Sequence, residues 1–150
     1  MRKLRNTGEA IDVSDRLDAL LELFRGVPGL VALYLYGSYG TPDQTPLSDV
    51  DLGVIFERDA VPEPRERVRL TGETMATLHE DDVSLTFLNR AALPFQHEVL
   101  RTGRLLLVTD EVALADFREY VVDRFCDFVI DYEVVLADYD AFLRETYGTG

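Results

Sequence analysis

The sequence predicts an α/β (α+β) domain: a small β-sheet flanked by helices and followed by a long C-terminal helix. Two observations set the sheet against the helices. Short β-branched and aromatic runs at Leu30–Tyr36, Val50–Phe56 and Val83–Phe87 alternate with stretches whose apolar residues recur at three- and four-residue spacing. The third observation sets the end of the chain apart, because residues 111–146 contain neither glycine nor proline.

Taken in order, Ser14 or Asp12 can cap a first helix carrying Leu17, Leu20, Leu21 and Phe24 on one face. Gly26, Pro28 and Gly29 end it. The first strand then runs from about Leu30 to Tyr36, and Gly37 stops it. The spacer Thr41-Pro42-Asp43-Gln44-Thr45-Pro46 is turn chemistry, too rich in proline for a regular element. A second strand spans about Val50 to Phe56, and residues 57–64, with Pro62 and Pro64, read as a surface loop. A helix from about Pro64 to His79 is expected to bury Val68, Leu70, Met75 and Leu78. Val83, Leu85 and Phe87 alternate with Asp82, Ser84 and Thr86, which predicts a strand with one buried and one polar face. Pro94 suits the first turn of a short helix ending at Gly103, and Leu105 to Val108 reads as a short strand.

The last segment predicts one long helix. Leu114, Val121, Phe125, Phe128, Tyr132, Val135, Tyr139 and Phe142 form an apolar stripe, opposite Asp116, Asp123, Asp127, Asp131 and Asp138. Four of seven tyrosines and four of eight phenylalanines lie beyond residue 110, more than a small sheet can cover. Core packing accounts for the first half of the stripe. For the second half a partner surface is the expectation, since aromatic residues are enriched at interfaces. The acidic side reads as a solvated face.

Chemistry concentrates where the first two strands meet. The run Leu33-Tyr34-Leu35-Tyr36 ends in Gly37-Ser38, and ten residues later Asp49-Val50-Asp51 opens the next apolar run. Glycine permits close backbone approach to a ligand, and the following hydroxyl and N–H groups can face an anion. A short helical turn after Ser38 would add a favourable dipole for phosphate. Asp49 and Asp51, two apart, point to one face of a strand. Two convergent carboxylates suit Mg²⁺, which takes oxygen ligands and keeps substrate phosphates in its shell. Either fragment alone is weak among 28 acidic residues in 150; the combination, flanked by two strands, is specific.

Gly37-Ser38, the spacer and Asp49-Val50-Asp51 resemble the signature of the DNA polymerase β-like nucleotidyltransferase superfamily, and most of all its minimal nucleotidyltransferases (MNT), which pair with HEPN-domain toxins in toxin–antitoxin modules. Leu88-Asn89-Arg90-Ala91 and Glu98-Val99-Leu100-Arg101-Thr102-Gly103-Arg104-Leu105-Leu106 resemble the stretch after the third strand in that group. The resemblance implies a nucleotidyltransferase-like fold with a small mixed β-sheet. It also implies Mg²⁺-dependent transfer of a nucleoside monophosphate, AMP from ATP, to a hydroxyl; in MNT pairs the acceptor is a tyrosine of the HEPN ribonuclease. It assigns nucleotide binding to Gly37 and Ser38 and metal binding and catalysis to Asp49 and Asp51.

The chain departs from the pattern at the third carboxylate, which the family carries five residues before the Leu-Asn asparagine. Counting back from Asn89 gives Ser84. Asp82 lies one pleat further back on the same face and is the expected third catalytic and metal-binding acid, although Asp81 and Asp82 can equally cap a helix–strand turn. The departure keeps a binding-only antitoxin open as an alternative. A small-molecule nucleotidyltransferase of the antibiotic-modifying type is a third reading, weakened because those enzymes usually carry an additional helical domain.

Composition bounds the rest. One domain over residues 1–150 is expected, with a core at 10–108 and a helical extension at 110–147. A net charge of −13 argues against direct duplex nucleic-acid binding and favours a basic partner surface; the resemblance implies that this partner is a HEPN-domain protein, expected to dock on the C-terminal helix in a hetero-oligomer. The lone Cys126 forbids an internal disulfide and, between Phe125 and Phe128, is expected to be a small buried hydrophobe. His79 and His97 have no ligand partner at metal-binding spacing. No Walker-type lysine loop or Gly-x-Gly-x-x-Gly occurs. No apolar stretch suits a membrane span, and Met1-Arg2-Lys3-Leu4-Arg5 leads into no apolar core, so a cytoplasmic protein is expected.

Overall fold

The computed structural model describes residues 12–45 and 49–147. The N-terminal pentapeptide, Pro46 and Ser48 lie outside the described residues. The elements follow in the order α1 (Leu17–Arg25), β1 (Leu30–Tyr36), β2 (Val50–Phe56), α2 (Pro64–Leu78), β3 (Val83–Phe87), α3 (Leu93–Thr102), β4 (Arg104–Val108) and α4 (Glu111–Tyr147). The strands form one mixed four-stranded sheet in the order β3-β2-β1-β4. β1 pairs antiparallel with both β2 and β4, while β2 pairs parallel with β3 through the α2 crossover.

The central pair β1–β2 is buried on both faces, which is why its sequence reads as nearly continuous apolar runs. One face, with Leu33, Leu35, Leu52, Val54 and Phe56, packs against Leu20 and Phe24 of α1 and Leu70 and Leu78 of α2. The other, with Tyr34 and Ile55, packs against Val99 of α3 and Leu114 of α4. Burial of each large side chain contributes roughly 1.5–3 kcal/mol. Neither Ser14 nor Asp12 caps the first helix, whose N-terminal residues make no side-chain cap; Asp12 Oδ1 instead folds onto the chain just before it, accepting the Ser14 N–H at 3.0 Å and hydroxyl at 2.7 Å. Asn89 closes the far end of β2, accepting the Phe56 N–H at 2.8 Å and donating to the Phe56 carbonyl at 2.9 Å.

Two further expectations are corrected. Val68 is 73% exposed, whereas Leu70, Thr74 and Leu78 form the buried stripe of α2. At about 100° per residue Val68 lies some 200° around the helix from Leu70, on the wall facing away from α1. Cys126 is exposed instead of buried. By that point α4 has run past the sheet: Leu114 and Val121 are buried, His97 of α3 stacks on Phe125 with ring centroids 3.7 Å apart, and beyond it Phe128, Ile130, Tyr132, Val134, Val135, Leu136, Tyr139 and Phe142 are exposed, with Val129 and Leu143 half-buried. Among the described residues no helix is long and apolar enough to cross a membrane.

Candidate functional site

The end of β1 and the start of β2 are antiparallel neighbours, so the chain leaves the sheet at Gly37 and returns at Asp49 beside it. Tyr36 lies opposite Asp51, and Asp51 is in parallel register with Ser84. The row Tyr36–Asp51–Ser84 therefore crosses three strands on one face of the sheet.

Gly37 has φ of 77°, and a Cβ on it would overlap Oδ2 of Asp51. Glycine is thus required twice, for the left-handed backbone and for the carboxylate packed above it. The turn after it is not helical. Ser38 O accepts the Thr41 N–H at 3.1 Å and the Thr41 hydroxyl at 2.7 Å, and Thr41 O accepts the Gln44 N–H at 3.0 Å. These are successive turns, because Gly40 at φ 73° and Pro42 interrupt the helical path, so no helix dipole faces the site. Tyr39 anchors the turn, its ring buried and its hydroxyl accepting the Val13 N–H at 3.0 Å. Arg104, the first residue of β4, reaches over the same turn: a Cβ on Gly40 would lie 3.4 Å from its Nη2.

Asp51 is half-buried, and burial first, then the charge of Asp49, push its pKa above the ordinary value of 3.8. Asp49, the residue just before β2, is thus near enough for its charge to act on Asp51. Asp82 sits just before β3, 5% exposed, with its backbone carbonyl accepting the Val50 N–H at 3.0 Å. Among the described residues no three His, Cys, Asp or Glu side chains group to hold a metal ion, so Asp82 is not gathered with Asp49 and Asp51 as a third ligand. Along an ideal strand one pleat is about 6.6 Å, and Asp82 lies one pleat in sequence before Ser84, which is level with Asp51. The donor set still fits Mg²⁺, which needs only one or two carboxylates when substrate phosphates complete its shell.

Polar residues outside the predicted set join the row. The Tyr36 hydroxyl shares a hydrogen bond with Thr86 Oγ1 at 2.9 Å and another with Ser84. Burial, partly offset by those hydrogen bonds, and the charge of Asp51 keep the phenol's pKa above its ordinary 10.0. Its ring packs edge-on against Phe95 of α3 at 5.4 Å. Period two applied to Tyr36, Ser84 and Thr86 could have placed these hydroxyls on the carboxylate face. Arg104 carried no such local signal, since only strand pairing brings β4 beside the turn.

A mixed four-stranded sheet with a Gly-Ser turn facing an Asp-x-Asp strand defines a nucleotidyltransferase fold. The chain belongs to the Polymerase beta, Nucleotidyltransferase family, whose model matches residues 18–112. Comparison with curated proteins finds no match. Among solved structures, a toxin–antitoxin with AMP-PNP superposes with a TM-score of 0.68 at 22% identity, over 82% of this chain and 97% of that one. A tri-AMPylated Shewanella oneidensis HEPN toxin in complex with MNT antitoxin gives 0.66 at 21%, over 85% and 98%. The toxin–antitoxin MntA-HepT gives 0.63 at 20%, over 83% and 96%. At such identities the likeness is one of fold.

Proposed function

We propose that this chain is a cytoplasmic MNT-type antitoxin that transfers AMP from ATP to a tyrosine hydroxyl of a HEPN-domain toxin. The observation that carries the reading is the Asp49–Asp51 pair beside Gly37 in a chain of this family. The AMP-PNP bound in one relative and the AMPylated toxin held by another support the choice of nucleotide and acceptor.

In this reading the Gly37-Ser38 backbone and the Arg104 guanidinium hold the outer phosphates. Asp49 and Asp51 hold Mg²⁺, which when bound neutralises the triphosphate and the oxygens exchanged at phosphorus. The acceptor oxygen bonds to the α-phosphorus as the bond to the bridging oxygen breaks and pyrophosphate departs. Asp82 takes the acceptor proton. The exposed second half of α4 docks the toxin; residues 111–147 carry ten acidic side chains against three basic ones, which favours a basic partner surface.

Intact-mass analysis of a co-expressed HEPN-domain protein tests this. An added nucleotide mass is expected with the wild-type chain and none with Asp49→Asn/Asp51→Asn; retained modification in the double variant overturns the site. Asp82→Asn is expected to lower turnover far more than ATP affinity, because a base acts in the transition state. One observation favours a second reading, a binding-only antitoxin: Ser84, not an acid, stands level with Asp51. An inhibited but unmodified toxin would select it.

A further inference from the structure

Among the described residues β3 is an edge strand, paired only with β2. The Val50 N–H bonds to the Asp82 carbonyl and Val50 is in register with Val83. In a parallel ladder this pattern turns the backbone groups of Val83 and Leu85 outward, away from β2. Along that edge runs an open groove of about 700 Å³, lined by Arg67, Gly72, Met75, Leu85, Phe87 and Arg90. Thr86 also lines it. Leu85 and Phe87 face one side of the sheet and Thr86 the other, so the groove wraps the strand edge itself.

Three features point to a ligand. The first is charge. Arg67 and Arg90 make no ion pair among the described residues, although the chain carries a net charge of −13; Arg67 only lies over the Phe87 ring, 5.9 Å from its centroid. The second is Gly72, in mid-helix, where a Cβ would meet nothing within 4 Å. Internal packing does not demand glycine there, and glycine costs a helix about 0.5–1 kcal/mol relative to alanine, whereas a bare helix wall lets another backbone come close. The third is continuity: Thr86 in the groove is hydrogen-bonded to Tyr36, which feels the charge of Asp51, so the edge of β3 leads from the groove to the carboxylates.

We infer that this groove binds an extended, acidic polypeptide segment of the acceptor protein as a fifth strand on β3, between Arg67 and Arg90, delivering its hydroxyl toward Asp49 and Asp51. The inference rests on the transferase reading for the delivery and on the groove alone for the binding. Main-chain hydrogen bonds to Leu85 and Phe87, which line the groove and share the outward backbone parity of Val83, give affinity and the guanidiniums give sign selectivity.

The test uses the full chain and two fluorescein-labelled peptides, one alternating valine and aspartate around a single tyrosine, the other with lysine at the aspartate positions. Fluorescence anisotropy is expected to show binding of the acidic peptide only. Arg67→Glu/Arg90→Glu, and separately Gly72→Leu, are expected to weaken it at least about tenfold, since one reversed charge contact or a filled groove is on the order of that factor. ATP affinity is expected to stay unchanged in both variants. Because Gly72→Leu meets open space, its melting temperature should equal or exceed that of the wild type, which separates loss of the groove from loss of the fold. No binding, equal binding of both peptides, or binding indifferent to the variants overturns the groove. Nucleotide transfer to the bound peptide with Mg²⁺ and ATP is scored separately: its absence with intact, variant-sensitive binding overturns delivery of the hydroxyl and the transferase reading while the docking surface stands.

Discussion

Asp51 is where the site works against the fold. Burial and the neighbouring Asp49 raise its pKa above 3.8, so the folded chain holds that proton more tightly than the unfolded one. The ionised form therefore costs stability, fully above the folded pKa and not at all once the pH falls below the unfolded value. Asp51→Asn removes that cost. The melting temperature of metal-free protein should rise near neutral pH, and the gap from wild type should close as pH falls into the ordinary carboxylate range; a wild type of equal stability at neutral pH would contradict this. Gly37→Ala should act the other way. A left-handed conformation costs a non-glycine residue roughly 1–2 kcal/mol, and the added methyl displaces Asp51 as well. Chemical denaturation should show the stability loss, and calorimetry should show weaker Mg²⁺–ATP binding.

The helices divide into elements held by the core and one that outruns it. Leu70 of α2 is buried and Val68 is not, so Leu70→Ala should cost about 2–4 kcal/mol while Val68→Lys changes stability by less than about 0.5 kcal/mol. Urea titration of both variants checks the stripe. In α4 the contrast falls along a single helix. Val121 is 0% exposed, whereas Tyr139 and Phe142 are each 57% exposed. Tyr139→Asp/Phe142→Asp should leave the melting temperature of the isolated chain within a degree or two, in line with small surface effects of about 0.5 kcal/mol. Under the proposed function the same variant should fail to co-purify with a co-expressed HEPN-domain protein, because a charge in a desolvated apolar contact is costly. Co-purification at wild-type yield would remove α4 from the interface.

Across the whole molecule, the proposed function asks an acidic chain to hold an anionic nucleotide beside its own carboxylates, which a bound cation would reconcile. Mg²⁺ with ATP should therefore raise the melting temperature in a concentration-dependent way, the added stability reaching about 2.7 kcal/mol at a hundredfold excess over Kd. ATP with a chelator should give much less, and Arg104→Ala should weaken the response without abolishing it. Thermal scans over a ligand series read all three. A response independent of Mg²⁺ would argue against the carboxylate pair as the metal-holding element.

Much of this was legible in the sequence because it is local. The strands at Leu30–Tyr36 and Val50–Phe56, the uninterrupted α4 and the glycine stop at Gly37 all follow from backbone periodicity and from residues that only certain φ angles admit. Burial is not local. Val68 and Cys126 look as apolar as their buried neighbours, yet their exposure depends on which helix wall meets the sheet and on where α4 runs past it. Strand pairing is not local either. It set Ser84 level with Asp51, brought Arg104 over the Ser38 turn from a strand more than sixty residues away, and, among the described residues, left the outer edge of β3 without a strand partner beside Arg67 and Arg90. Spacing along the chain determines which way a side chain points; only the closed sheet decides what stands opposite it.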